Sequence, residues 1–104
     1  MISIPGALTP TEAQTAHLAG ADFVKLFPLD AMGAEYLKAI SAPLNHIRFL
    51  AVGGVSADNA TVFLKAGACG LGVGSSLVNK KWIEAGEFDK ITEVAKKLVA
   101  NVKA

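Results

Sequence analysis

The sequence predicts an α/β protein built from four strand–helix units around a parallel sheet. Three observations carry this reading. Short apolar runs rich in β-branched and aromatic residues alternate four times with helix-like stretches. The third run, Ile47 to Val52, is apolar almost throughout, as a strand buried on both faces should be. Pro28, Pro43, Gly53-Gly54, Gly67 and Gly74 fall between the runs rather than inside them. Regular alternation of this kind is the signature of a parallel sheet.

The elements follow in order. Ile2 to Pro5 reads as a short first strand. Thr9-Pro10-Thr11-Glu12 then supplies a capping residue, proline at the first helical position and glutamate at the third. That helix should run to about Leu18 and stop near Gly20. Asp22 to Phe27 is the second strand, ended by Pro28, and a helix follows from Ala34 to Ile40, closed by Pro43. After the third strand, Ser56 is expected to cap a helix ending at Gly67. Cys69 to Val73 is the fourth strand. Gly74-Ser75-Ser76 leads into a short helical turn, and an amphipathic helix follows Gly86, with Phe88, Ile91, Val94, Ala95, Leu98 and Val102 at helical spacing.

Composition bounds the function. The 104 residues make one domain at most. Apolar residues are 52% and charged residues 18% of the chain, and the mean hydropathy is +0.42. Such a chain builds a core and can also carry an apolar face that needs a partner. A net charge of +1 makes no electrostatic case for nucleic acid or a membrane surface. No apolar run approaches the ~20 residues of a spanning helix, and no signal-peptide pattern opens the chain. A single cysteine, Cys69, excludes an internal disulfide and reads as an inert core thiol. These features make a cytoplasmic protein the expectation.

Lys25 stands out chemically as a lone cation in the run Phe23-Val24-Lys25-Leu26-Phe27. A lysine aimed into a dry cleft loses the solvation of its ammonium, and the neutral amine is a nucleophile toward ketones. The plainer alternative is a strand lysine whose stem lies on the sheet while its head reaches water. Period-2 alternation puts Lys25 on one face with Phe23 and Phe27, and Val24 and Leu26 on the other.

Gly53-Gly54 follows the third strand and Gly74-Ser75 follows the fourth. Glycine lets backbone amides approach an anion, although each loop alone is equally a tight turn. Gly70-Leu71-Gly72-Val73-Gly74 is not a dinucleotide fingerprint, because its third glycine comes one residue early. His17 and His46 lack metal-ligand spacing and read as surface residues. Arg48, at the start of the third strand, reads as a structural partner. Asp22 faces away from Lys25. Lys80-Lys81 reads as a solvated pair and Trp82 as a packing or interface residue.

Five pieces in order carry a resemblance. They are Ile4-Pro5-Gly6 with Thr9-Pro10-Thr11-Glu12; Phe23 to Pro28; Arg48-Phe49 leading to Val52-Gly53-Gly54-Val55-Ser56, with Asn59 beyond; Gly72 to Val78; and Glu84 to Thr92. The chain resembles the C-terminal half of the 2-keto-3-deoxy-6-phosphogluconate / 4-hydroxy-2-oxoglutarate (KDPG/KHG) aldolases over essentially all of its 104 residues. The resemblance implies half of a (β/α)8 TIM barrel, with residues 1–104 as one domain corresponding to strands five to eight. A rearranged, open, flavodoxin-like sheet is the alternative architecture.

The resemblance also implies a class I aldolase that needs no cofactor and no metal. Lys25 would form the Schiff base. Phe27, Val52, Gly53, Gly54, Gly74 and Ser75 would contact a small keto acid phosphate, the two glycine loops holding its phosphate. Asp30 corresponds to an acidic family position of open role. Val52 stands where many members have threonine, which puts the choice between phosphogluconate-type and phosphogalactonate-type substrates in doubt. The family's general-base glutamate and carboxylate-binding arginine belong to the other half of the barrel and match no position here. A non-catalytic phosphate-binding half-barrel is therefore the second functional reading. The expected partner is a second copy, making a homo-oligomer, or a complementary N-terminal half. Met1 immediately before a strand that should be internal suggests a truncation or a new start.

Overall fold

In the computed structural model of the chain, which describes residues 1–103, ten elements follow one another. They are β1 (Gly6–Ala7), α1 (Pro10–Leu18), β2 (Val24–Leu26), α2 (Leu29–Met32), α3 (Ala34–Ser41), β3 (Phe49–Val52), α4 (Ala60–Lys65), β4 (Gly70–Gly72), α5 (Lys80–Glu84) and α6 (Phe88–Lys103). The strands form one sheet in the order β1-β2-β3-β4, every neighbouring pair parallel. Strands that are adjacent in sequence are adjacent in space. That is the order of half an eight-stranded barrel, and it excludes the rearranged flavodoxin-like sheet.

Side-chain alternation decides which face the helices cover. Val24, Leu26, Phe49 and Ala51 are at most 1% exposed. They pack in one core with Ala13 of α1, Leu37 and Ile40 of α3, and Phe63 of α4. The register pairs Val24 with Phe49 and Leu26 with Ala51, so these four make one outward-facing block. The other face carries Lys25 and Leu50, paired in the register, together with Phe27 and Val52. Phe27 is 47% exposed. The inner face of the arc is thus the uncovered one.

Helix α1 forms where the sequence places it. Thr9 Oγ1 accepts from the Glu12 amide at 3.2 Å, and Glu12 Oε1 accepts from the Thr9 amide at 2.9 Å, which closes the capping box. Gly20, at φ 104°, turns the chain out of the helix. Gly67 ends α4 at φ 122°, and a Cβ there would stand 2.5 Å from Ser41 Oγ, so only glycine fits. Asn79 caps α5 by accepting from the amides of Lys81 and Trp82. Asn101 Nδ2 donates to the Ala57 carbonyl at 2.6 Å and ties α6 to the segment before α4.

Several boundaries differ from the sequence expectation. The first strand is Gly6–Ala7, not Ile2 to Pro5. The earlier residues still run along β2, since the carbonyls of Ser3 and Pro5 accept from the amides of Phe23 and Lys25. Pro5 has no N–H to return a bond, which delays the regular ladder. Ser56 does not cap α4. The helix begins at Ala60 after a turn, and the Asn59 side chain accepts from the Ser56 amide instead. Cys69 is exposed rather than a core thiol, because it lies at the outer edge of the sheet. The peptide Phe27–Pro28 is cis. The short helices α2 and α5 carry no periodic pattern long enough to read from sequence.

Among the described residues, no helix is long and apolar enough to cross a membrane.

The capping box makes α1 sensitive to acid. Hydrogen bonds from the Thr9 amide, the Thr9 hydroxyl and the Leu8 amide hold the Glu12 carboxyl below its ordinary value of 4.5. A depressed carboxyl contributes stability that is complete above that ordinary value and is lost as pH falls through its lower folded one. Urea unfolding followed across the acid range should therefore lose a component of stability below about pH 4.5, and Glu12→Gln should flatten that component. Thr9→Ala should cost about 1 kcal/mol at neutral pH in the same measurement.

Candidate active site

The C-terminal ends of the strands carry two adjoining cavities. The first, of about 320 Å³, is lined by Phe27, Asp30, Val52, Gly53, Gly54, Val55, Gly72, Gly74, Ser75 and Ser76. All six residues expected to contact a substrate lie there, brought from the segment after β2, from the end of β3 and the loop after it, and from the loop after β4. The second, of about 430 Å³, is lined by Ile4, Gly6, Ala7, Leu8, Glu12, Lys25 and Phe27. Lys25 thus sits next to the glycine-lined cavity rather than in it, and Phe27 is the wall between them. The Lys25 Nζ lies 4.6 Å from the centre of the Phe27 ring, and the ring face attracts the ammonium.

The glycine loops are shaped by packing as well as by any ligand. Gly53 and Gly54 have φ of 112° and 68°. A Cβ on Gly53 would lie 2.9 Å from the Leu29 amide, and one on Gly54 would lie 2.7 Å from Asp30 Cβ. The start of α2 therefore presses on this loop, and a side chain at either glycine would collide with it. Asn59 holds the loop from the other side, donating to the Gly54 carbonyl at 2.8 Å. Ser76 Oγ donates to the Val55 carbonyl at 2.6 Å and braces the second loop against the first. The second loop closes on itself through the Gly74 carbonyl, which accepts from the amides of Leu77 and Val78. Gly74 is open, with no heavy atom within 4 Å of an added Cβ.

Among the lining residues that the sequence did not name as substrate contacts, Asp30, Ser76 and Glu12 are polar. Asp30, whose role the sequence leaves open, borders the first cavity and turns Oδ1 toward the Ala31 amide at 3.0 Å. Ser76 braces the loops. Glu12 borders the Lys25 cavity because Gly6 pairs with Lys25, which brings the start of α1 alongside. The capping pattern announced Glu12 as a helix residue, and only the β1–β2 register adds its position beside Lys25.

The remaining candidates sit elsewhere. The Arg48 guanidinium stacks on Phe23, 4.5 Å from the ring centre. The Asp22 carboxylate accepts from the Ser3 amide at 2.8 Å. His17 and His46, far apart in sequence, meet edge to face at 4.9 Å, and His46 Nε2 contacts Gln14 Oε1 at 2.8 Å. Among the described residues, no three His, Cys, Asp or Glu side chains converge as a metal site.

The fold is a parallel half-barrel with a lysine and two glycine loops at its C-terminal mouth, the end at which (β/α)8 barrels carry their sites. Comparison with known proteins gives it a family. The family model described as KDPG and KHG aldolase matches residues 1–94. The chain belongs to the KDPG and KHG aldolase family. It is 41% identical over 105 residues to the 2-dehydro-3-deoxy-6-phosphogalactonate aldolase of Escherichia coli, covering 100% of this chain and 48% of that protein. It is 35% identical over 101 residues to the KHG/KDPG aldolase of the same organism, covering 96% of this chain and 47% of that protein. The solved structure described as native KDPGal superposes with a TM-score of 0.89 at 36% identity, over 99% of this chain and 48% of that one. The chain spans about half the length of the curated relatives it matches.

The contrast between the loop glycines is testable. Gly54→Ala places a Cβ on a positive φ and against Asp30, and should lower stability by more than about 1 kcal/mol in thermal unfolding. Gly74→Ala meets open space and should stay within about 0.5 kcal/mol of the parent. Equal costs would mean that packing against α2 does not shape the first loop.

Proposed function

We propose that this chain is the C-terminal half of a class I aldolase that cleaves 2-keto-3-deoxy-6-phospho sugar acids to pyruvate and glyceraldehyde 3-phosphate. The observation that carries the reading is the convergence of Phe27, Val52, Gly53, Gly54, Gly74 and Ser75 on one cavity, with Lys25 on the far side of Phe27 at the same mouth. Family membership supplies the reaction class.

In this reading the Lys25 amine adds to the C2 ketone, and loss of water leaves a protonated imine. The imine draws in the electron pair of the C3–C4 bond. A base takes the C4 hydroxyl proton, the aldehyde leaves, and the remaining enamine takes up a proton before water frees pyruvate. The phosphate would rest on the backbone of Gly53, Gly54, Gly74 and Ser75, where no Cβ from the glycines intervenes. The base and the arginine that holds the substrate carboxylate would come from a complementary N-terminal half-barrel, because a second copy of this chain carries neither. In this reading the chain works in the cytoplasm, with a phosphorylated sugar acid as its substrate.

A specific observation favours a second reading, a phosphate-binding half-barrel without catalysis. Lys25 and the glycine loops occupy separate cavities, and the Phe27 ring stands between them. Borohydride trapping with pyruvate separates the two. An adduct on Lys25, located by mass spectrometry and lost in Lys25→Arg, is the expected result. No adduct from neutral to mildly alkaline pH would leave only the binding reading.

Turnover gives an independent check. A retro-aldol assay of the chain alone should fall about 10²–10⁴-fold below that of the chain supplemented with the N-terminal half of a relative, the range that a general base contributes. Equal rates would mean that a residue of this chain acts as the base, with Asp30 and Glu12 the first to replace.

A further inference from the structure

The chain exposes more surface than a self-contained domain of its mass. Its accessible area is 6445 Å², whereas a folded monomer of this size exposes about 5,500 Å². Its radius of gyration is 14.7 Å, against about 13 Å for a compact domain of a hundred residues. The excess of about 900 Å² is close to the ~800 Å² that each partner contributes to a standard stable interface.

Much apolar surface lies at the two edges of the sheet. β1 ends the sheet on one side, and Ile2 and Ile4 beside it are 69% and 47% exposed. β4 ends it on the other side. There a groove of about 320 Å³ opens between β4 and the C-terminal part of α6, and its walls include Leu71, Val73, Leu98, Val99 and Val102. The β1 edge therefore carries apolar side chains on the inward face, where Ile4 also lines the Lys25 cavity, and the β4 edge carries an apolar groove on the outward face.

We propose that two copies of this chain close edge to edge into an eight-stranded parallel barrel. β4 of each copy pairs with β1 of the other, so that Ile2 and Ile4, on the inward face shared with Gly6 and Lys25, are buried in the closed interior, while the outward side of the same segment covers the β4–α6 groove of the partner. A two-fold axis along the strand direction leaves every strand pointing the same way, so both new pairs are parallel like those within the chain. Eight strands is the number at which side chains just fill a barrel interior. The copies stop at two because the second seam uses the last free edges; an edge contact that did not close would grow into a fibre. Two copies also restore the length of one relative, since this chain spans 48% of the native KDPGal structure. A net charge of +1 on each copy sets up little repulsion. The pairing rests on the sheet and its edges, so it stands apart from the chemistry assigned to Lys25.

Sedimentation velocity over a concentration series tests it, with Val99→Glu and Ile2→Lys made separately and each checked by far-ultraviolet circular dichroism. Both positions are more than half exposed, at 52% and 69%, so the fold should survive either change. The expected result is a dimer of the parent chain at tens of micromolar. Each variant should weaken dimerisation at least ~100-fold, because a charge would be buried unpaired in the seam. Amide exchange at Gly70–Gly72 should slow as the parent chain associates, a readout that needs no variant. A folded monomer overturns the proposal, including one that associates only with a separately supplied N-terminal half. So does a trimer or filament, or a dimer that both folded variants leave intact.

Discussion

The alternation of β2 is the constraint on which the rest of the molecule depends. Val24 and Leu26 are 1% and 0% exposed under the helices, which fixes Lys25 and Phe27 on the opposite face. A slip of one residue would expose both aliphatic side chains and bury the lysine. The register carries this choice across the sheet, pairing Gly6 with Lys25, Lys25 with Leu50 and Leu50 with Gly70. Because all strands run the same way, their C-terminal ends and both glycine loops emerge at one mouth. The site is a consequence of the core, since the packing that hides Val24 also aims Lys25.

What the sequence made legible follows physical scale. Helix α1 was readable because its start is encoded within four consecutive residues, Thr9 to Glu12, that satisfy one another. Helix α6 was readable because sixteen residues give a periodic pattern room to repeat. Helices α2 and α5 span four and five residues, too few for such a pattern. Ser56 looked like a helix cap because its residue type suits one, yet Asn59 bonds to both the Ser56 amide and the Gly54 carbonyl and moves the helix start onward.

The candidate site shows the same division. Gly53 and Gly54 were legible as a loop after a strand, but the reason both must be glycine lies in Leu29 and Asp30, more than twenty positions earlier in the chain. The pairing of His17 with His46 and the approach of Glu12 to Lys25 likewise depend on contacts between distant segments. Residue types and spacing named the family, six of the ten residues that line the first cavity, and Lys25 in the second. They did not reveal that Phe27 divides the mouth into two cavities, because a wall is a property of packing rather than of pattern.

The inward-facing row of the sheet is unusual in how little it contains. Two of the positions in register with Lys25 and Leu50 are Gly6 and Gly70. Gly72 occupies the next inward place on β4, beside Val52. Side chains of Leu50 and Val52 lie over these glycines, so that a Cβ at Gly70 or Gly72 would come within 2.7 Å of one of them. In a closed barrel the interior is normally filled by layers of large branched side chains. Here Gly6 lowers the inner surface on one side of Lys25 and leaves space beside the amine, while Leu50 and Val52 fold over Gly70 and Gly72. That space suits a small ligand approaching the amine, and it leaves much of the interior packing to whatever completes the barrel. The features that open room around Lys25 are therefore the same ones that leave the half-barrel short of a core on its inner face.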